Sequence, residues 1–185
     1  MVKQDKFNDI VTTADRDIQT QPSMKRWLKH FFFLPATSRY FDQQDQNAIA
    51  QAVAEAELGH VGEIQVVIEG NMPLKEAYHL NSCQRARQLF AHYGVWDTEL
   101  NSGVLIYLNL CEHAVEIVCD RGICRATTQE QWDTICQEMI SLLKSQNYRQ
   151  AVIIGVQRVG ELLNLFYDNQ VIDLHNELSN APIIL

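Results

Sequence analysis

The spacing of apolar and polar positions changes several times along the chain, and each change marks an element. Met24–Leu34 (MKRWLKHFFFL) repeats at helical spacing and predicts a short basic amphipathic helix stopped by Pro35. Trp27, Leu28 and Phe31 share one face, with Lys25, Arg26 and Lys29 mostly elsewhere. The polar stretch 1–22 before it reads as a flexible lead. Asp42 is an N-cap for a second helix, which carries Ala48, Ile49, Ala52, Val53 and Ala56 on one side and stops near Gly59. Glu63–Glu69 then switches to a period of two. Ile64, Val66 and Ile68 face one way; Glu63, Gln65, Val67 and Glu69 face the other.

After the breaker Gly70-Asn71-Met72-Pro73, one helix is expected over about 75–92. Gly103–Leu110 is apolar on both faces, the mark of a central strand. Ala114–Cys119 follows a tight connection at Cys111-Glu112-His113, which makes a hairpin. Thr127-Thr128-Gln129-Glu130 reads as a capping box opening a helix to Lys144, with Trp132, Ile135, Cys136, Met139 and Leu143 inward. A last long helix covers about 147–167, and the tail 169–185 reads as a loose or partner-contacting extension. The domain layout is therefore a lead with a basic helix (1–40), an α/β domain (41–168) and a tail.

Composition narrows the class without naming a reaction. The 185 residues are 46% hydrophobic and 21% charged, an ordinary globular balance that excludes disorder and low complexity. A net charge of −8 argues against a nucleic-acid partner. The charge is unevenly placed: residues 1–40 hold seven Lys/Arg against four Asp/Glu, and residues 41–185 hold eight against nineteen. The polar start shows no secretory h-region, and the five cysteines form no C-x-x-C, so reduced thiols and a cytoplasmic setting are expected. Cys111, His113, Cys119 and Cys124 match no standard zinc spacing, with Cys111 and Cys119 expected at opposite ends of one hairpin.

Topology gathers polar residues that linear spacing keeps apart. Strand, helix, strand is a βαβ unit, so the first two strands run parallel through a right-handed crossover. The third runs antiparallel, and a turn at Cys111-Glu112 sets Gly103 opposite Asp120. Glu63, Asp97, Glu99, Asn101, Asp120 and Arg121 then meet at one sheet edge. From spacing alone they fit either a solvated acidic rim, with Arg121 pairing Asp97 or Glu99, or an oxygen-rich site for a cation such as Ca²⁺. The segment from Asp97 is no EF-hand, because Ser102 and Leu108 stand where Gly and Glu are required. No P-loop, G-x-S-x-G, H-E-x-x-H or G-x-G-x-x-G is present. Gly155 and Gly160 lie within a helical pattern and indicate close packing. His60, His79, His92 and His175 are expected at the surface or at helix ends, His30 as a cap of the basic helix, and Trp96 as a lid over the core.

The stretch Val95-Trp96-Asp97-Thr98-Glu99-Leu100-Asn101-Ser102-Gly103-Val104-Leu105-Ile106-Tyr107, followed by Val115-Glu116-Ile117-Val118 and Asp120-Arg121-Gly122-Ile123, resembles the TPM domain family. His60-Val61-Gly62-Glu63-Ile64 is similar to that family's first core strand. The resemblance covers about residues 40–167 and is to a compact, soluble bacterial branch. It implies an α/β class fold, a three-layer α/β/α sandwich around a short mixed sheet. Some members are described as acid phosphatases and some as calcium binders. Asp97 matches an aspartate that precedes the family's central strand; Arg121 adds positive charge where a cation would sit. The expected function is therefore a non-enzymatic interaction module serving membrane-protein assembly or quality control. Its partner would be another protein, with peripheral contact at the inner membrane through residues 24–34. The alternative is a calcium-binding domain or weak acid phosphatase, with Asp97 or Asp120 as nucleophile or metal ligand and Arg121 neutralising phosphate.

Overall fold

Strands with a period of two and helices with an apolar stripe leave one economical arrangement, in which helices cover both faces of a sheet. The computed structural model describes residues 21–33, 37–167 and 176–185. Most of the expected lead, Leu34 to Ala36 and residues 168–175, including His175, lie outside the described residues. In chain order the elements are α1 (Met24–Phe32), α2 (Thr37–Tyr40), α3 (Gln43–Ala56), β1 (Glu63–Glu69), α4 (Leu74–His79) and α5 (Ser82–His92). There follow β2 (Gly103–Asn109), β3 (Ala114–Cys119), α6 (Arg121–Cys124), α7 (Gln129–Lys144), α8 (Tyr148–Phe166) and β4 (Ile183–Ile184).

The sheet has the order β3-β2-β1-β4. β1 pairs parallel with β2, Glu63 facing Gly103, and β2 pairs antiparallel with β3, Val104 facing Cys119. Strand pleating divides the side chains as the period predicts. Ile64, Val66, Ile68, Val104, Ile106, Leu108, Val115 and Ile117 pack with Ile49 and Val53 of α3, Trp132 and Met139 of α7, and Val152 and Val156 of α8. Val67, Leu105, Tyr107 and Val118 on the opposite face meet Ala86 and Leu89 of α5 and Val95. Each fully buried aliphatic side chain contributes about 1.5–3 kcal/mol by leaving water. The chain is thus an α/β/α sandwich, with α3, α7 and α8 on one side and α5 on the other.

Three local expectations are corrected. The helix expected over 75–92 is two helices, because Asn81 accepts the Gln84 N–H while Gln84 accepts the Asn81 N–H, a capping box that starts α5 afresh. The box opening α7 sits one residue later than expected, on Thr128 and Gln131. Thr127 is instead spent inside, donating to the Ile123 carbonyl and accepting the Trp132 indole N–H at 2.9 Å. The tail is not a loose extension at its end, since β4 pairs parallel with Val67 and Ile68 of β1.

Two glycines are set by close approach. A Cβ on Gly103 would run into the Val95 carbonyl. A Cβ on Gly160 would lie 2.8 Å from the Ala56 Cβ and 2.9 Å from its carbonyl, so α8 and α3 touch there through backbone. This is the packing role expected for the helical glycines. Gly160→Ala gains about 1 kcal/mol of helix propensity but must push the two helices apart, at about 1–3 kcal/mol. A net loss is expected, read as a lower urea midpoint with an unchanged m value.

Candidate functional site

The three strands deliver their polar ends to the two opposite edges of the sheet, and the edges differ. At the edge where β1 and β2 begin, the register brings Glu63 beside Gly103, and the Asp120 N–H donates to the Gly103 carbonyl at 2.9 Å. The backbones of Glu63 and Asp120 therefore lie on either side of Gly103 at one end of the sheet. The Glu63 carboxylate is engaged, however, accepting the Glu177 and Leu178 N–H groups at 3.3 and 3.2 Å. Asp120 is buried; one of its oxygens accepts the Arg121 N–H as the cap of α6, and the other is buried without a hydrogen bond. Burial and the nearby Asp120 charge raise the Tyr167 phenol.

Residues 97–101 form a turn held by its polar inward members. The Thr98 hydroxyl accepts the Ser102 N–H at 2.8 Å, and the Ser102 hydroxyl donates to the Val61 carbonyl at 2.6 Å. With Thr98 and Ser102 inside, Asp97, Glu99 and Asn101 are exposed. Asn101 takes a left-handed backbone at φ 53°. A calcium ion needs 6–8 oxygens at 2.3–2.6 Å. The described rim residues divide their oxygens among tail amides, a helix cap, solvent and one buried, unpartnered Asp120 oxygen, and no three of their carboxylates bring ligand atoms within 4.8 Å of one another, so they do not present such a cage.

Sequence reasoning missed Glu57 at this edge. It follows α3, and its carboxylate accepts the Ile64 N–H at 2.8 Å. Burial pushes its pKa up to about 7, with the neighbouring Glu63 charge adding to the rise. His60, expected at the surface, is buried, because its Nδ1 accepts the Gly62 N–H at 2.9 Å. Trp96, expected as a lid, is 52% exposed. His79 and His92 stand in the last turns of α4 and α5, as expected.

The other edge carries a continuous polar chain. Arg85 of α5 grips Glu69 at 2.6 Å, and the Tyr107 hydroxyl donates to the second Glu69 oxygen at 2.6 Å. The Asn109 amide donates to Tyr107 at 2.7 Å and accepts the Glu112 N–H at 2.7 Å. Burial and the Glu69 charge push the Tyr107 phenol well up, so it stays a donor. Glu112 in turn lies 3.1 Å from His30 Nε2 and 3.5 Å from Lys29 Nζ, and these contacts hold its carboxyl below the usual range. His30 is thus no cap of its own helix. It is buried and fixes α1 to the body, with Nδ1 accepting the Met72 N–H at 3.0 Å.

Among the described residues, His30, Cys111 and Glu112 form the group of His, Cys, Asp or Glu ligand atoms that comes within 4.8 Å of one another. Its chemistry does not suit a metal. Nδ1 accepts a backbone N–H, so the ring proton resides on Nε2, the atom a metal would need. Metal-bound histidines instead donate their remote N–H outward. The Cys111 thiol is pushed up to about 11 by burial, and Lys29 adds positive charge. Cys83 is likewise raised by burial and by Glu116, so neither thiol is a ready thiolate nucleophile. Cys111 and Cys119 lie at opposite ends of the β2–β3 hairpin, as expected.

The TPM domain model matches residues 36–162. Among solved structures the chain is similar to the BA42 protein of the psychrophilic bacterium Bizionia argentinensis, determined by NMR. The two are 26% identical with a TM-score of 0.69, over 78% of this chain and 94% of that one. No curated protein matches.

Two outcomes are expected. Glu57 is easier to protonate folded than unfolded, so its stabilising share is complete below about pH 4.5 and is lost as pH rises through about 7. The full shift corresponds to about 3 kcal/mol, and roughly half of that remains for a partly solvated group. Glu57→Gln should match the parent near pH 4 and exceed it by about 1–2 kcal/mol at pH 8 in urea titrations. His30→Ala strands the Met72 N–H and should raise the rate of proteolytic cleavage around residues 21–33, leaving the sandwich intact by circular dichroism.

Proposed function

The chain belongs to the TPM domain family, and from that premise we propose that it is a non-enzymatic interaction module that docks peripherally at a membrane surface through α1, in the service of membrane-protein assembly or quality control. The observation that carries this reading is the orientation of α1. A surface helix ordinarily turns its apolar stripe inward. Here the basic side chains make the inward contacts: Arg26 donates to the Ala77 and Tyr78 carbonyls at 2.7 and 3.2 Å, and His30 bonds Met72 and faces Glu112. The apolar stripe points outward. Met24, Leu28, Phe31 and Phe32 are 58%, 42%, 52% and 72% exposed.

The stripe is ordered before it meets anything. Trp27 stacks on Phe31 with ring centroids 5.2 Å apart, and Phe31 meets Phe32 edge-on at 5.1 Å. Lys25 and Lys29 are both exposed, and α1 contains no acidic residue. Aromatic and aliphatic side chains flanked by lysines are the composition of an interfacial helix on an anionic bilayer. The strongly acidic remainder of the chain is repelled by that bilayer, which orients the domain with α1 leading. Among the described residues no helix is long and apolar enough to cross a membrane. A cytoplasmic domain making peripheral contact at the inner membrane accommodates these features.

Four partly exposed apolar side chains contribute about 3–4 kcal/mol on burial, and each lysine near an anionic surface about 1 kcal/mol. The sum, about 5–6 kcal/mol, corresponds to dissociation constants from about 0.2 mM to about 40 μM, a reversible attachment. The full chain should float with vesicles of phosphatidylcholine and phosphatidylglycerol and less with phosphatidylcholine alone. Leu28→Asp with Phe31→Asp should reduce flotation at least tenfold, and added salt should weaken the parent. Equal flotation of parent and double variant would overturn the reading.

A further inference from the structure

A cavity of about 380 Å³ opens near the end of β2, between the N-terminal segment and α7 and α8. Its walls are apolar: Phe33, Leu108, Leu110, Ile140 and Leu143, with the rings of Tyr40 and Tyr148 meeting edge-on at 4.8 Å. A second cavity of about 350 Å³ lies beside it, sharing Tyr40, Gln146 and Tyr148, and is lined by Asp45, Arg149, Gln150 and Asn147. The first is mainly apolar with a polar side at Asn109, His113, Lys144 and Gln146, and the second is mainly polar.

The polar groups around this pair have capacity to spare. Lys144, Gln146 and His113 line the first cavity and are exposed, and their side chains enter no hydrogen bond or ion pair among the described residues. Gln146 stands at φ 62° because it is the left-handed residue closing α7, where its N–H bonds the Leu143 carbonyl and the Asn147 N–H bonds that of Leu142. That closure quenches the carbonyls at the negative end of α7. The first turn of α8, on the wall of the second cavity, has no side-chain cap on its N–H groups. Arg149 there is held by Asp45 at 3.3 Å, a half-exposed pair that leaves further donors on the guanidinium. In the polar cavity Arg149 is balanced by Asp45, while the uncommitted donors of Lys144 and Gln146 and the first-turn N–H groups of α8 stand beside the apolar one.

We propose that the paired cavities bind an anionic amphiphile, an acyl or aryl chain ending in a carboxylate or phosphate, with its chain in the apolar cavity and its head between Lys144 and the first turn of α8. At about 30 Å³ per water-sized group, the apolar cavity holds a chain of roughly ten to twelve heavy atoms. Pockets of this size, apolar with a few convergent polar groups, are the usual form of small-molecule sites. This binding is separate from the outward stripe of α1.

The test uses the full chain with decanoate, decyl phosphate and decanol below their micellar concentrations, followed by amide chemical shifts and calorimetry. Saturable one-to-one binding of decanoate or decyl phosphate, with shifts centred on residues 140–150, supports the proposal; the tighter of the two identifies the head group. Lys144→Glu, an exposed substitution, should weaken the anionic ligands at least fivefold and leave decanol unchanged. Leu143→Trp fills the apolar cavity and should abolish binding while the melting transition persists. Leu28→Asp with Phe31→Asp, which removes vesicle contact, should retain the ligand. No saturable binding of either anion, decanol binding as tightly as decanoate, or shifts centred on α1 would overturn it.

Discussion

A carboxylate buried in a sheet must find compensating charge, and Glu69, 1% exposed at the end of β1, dictates how one whole edge of this protein is built. Arg85 supplies the charge from α5, which requires that helix to begin where its capping box places it. Tyr107 satisfies the second oxygen, Asn109 satisfies Tyr107, and Glu112 continues the chain into the hairpin. Glu112 then recruits His30 and Lys29, and with them the whole of α1. Apart from the 3.5 Å contact to exposed Lys29, the links are short and most are buried, so removing one strands its neighbours. A helix outside the sandwich is thus attached by the same polar chain that fastens α5 to the sheet.

The two helical layers consequently differ in kind. The layer of α3, α7 and α8 is held by apolar contact and by glycines that let backbones meet. The α5 layer combines a small apolar cluster with hydrogen-bonded charge. This division explains why α1 can lie with its apolar stripe in water. Its attachment uses the hydrogen-bond donors of Arg26 and the two ring nitrogens of His30, and those groups occupy the inward side of a nine-residue helix. The hydrophobic stripe is what remains.

The acidic edge follows the opposite logic. There the carboxylates are engaged locally, Glu63 by the amides of residues 177 and 178 and one Asp120 oxygen by the N-terminus of α6, while the second Asp120 oxygen is buried without a partner among the described residues. Only Glu57 is left with a strongly raised pKa, because burial costs it more than one hydrogen bond returns. At the ends of α7 and α8 nearest α2, apolar space and uncommitted donors coincide.

The primary sequence was sufficient for the direction and pairing of the three central strands, and the family resemblance for the sandwich around them. Periods of two in Glu63–Glu69 and Gly103–Asn109, the crossover rule and a tight turn at Cys111-Glu112 set the strand directions, and the predicted pairing of Gly103 with Asp120 is the one found. These features are local or follow from chain chirality, so they can be read in order. The break at Asn81 and the Thr128 box were equally local; their signals, Asn81 with Gln84 and Thr128 with Gln131, stood in the sequence. The fate of the carboxylates was not legible. Glu63 meets amides more than a hundred residues away, and Glu57 belongs to the rim only because α3 ends against β1. Nor could the pattern of α1 say which way the helix turns, since an amphipathic periodicity is the same whether its apolar side faces a core or water. Only the tertiary structure decides that, by placing the Ala77, Tyr78 and Met72 backbone and the Glu112 carboxylate where Arg26 and His30 can reach them.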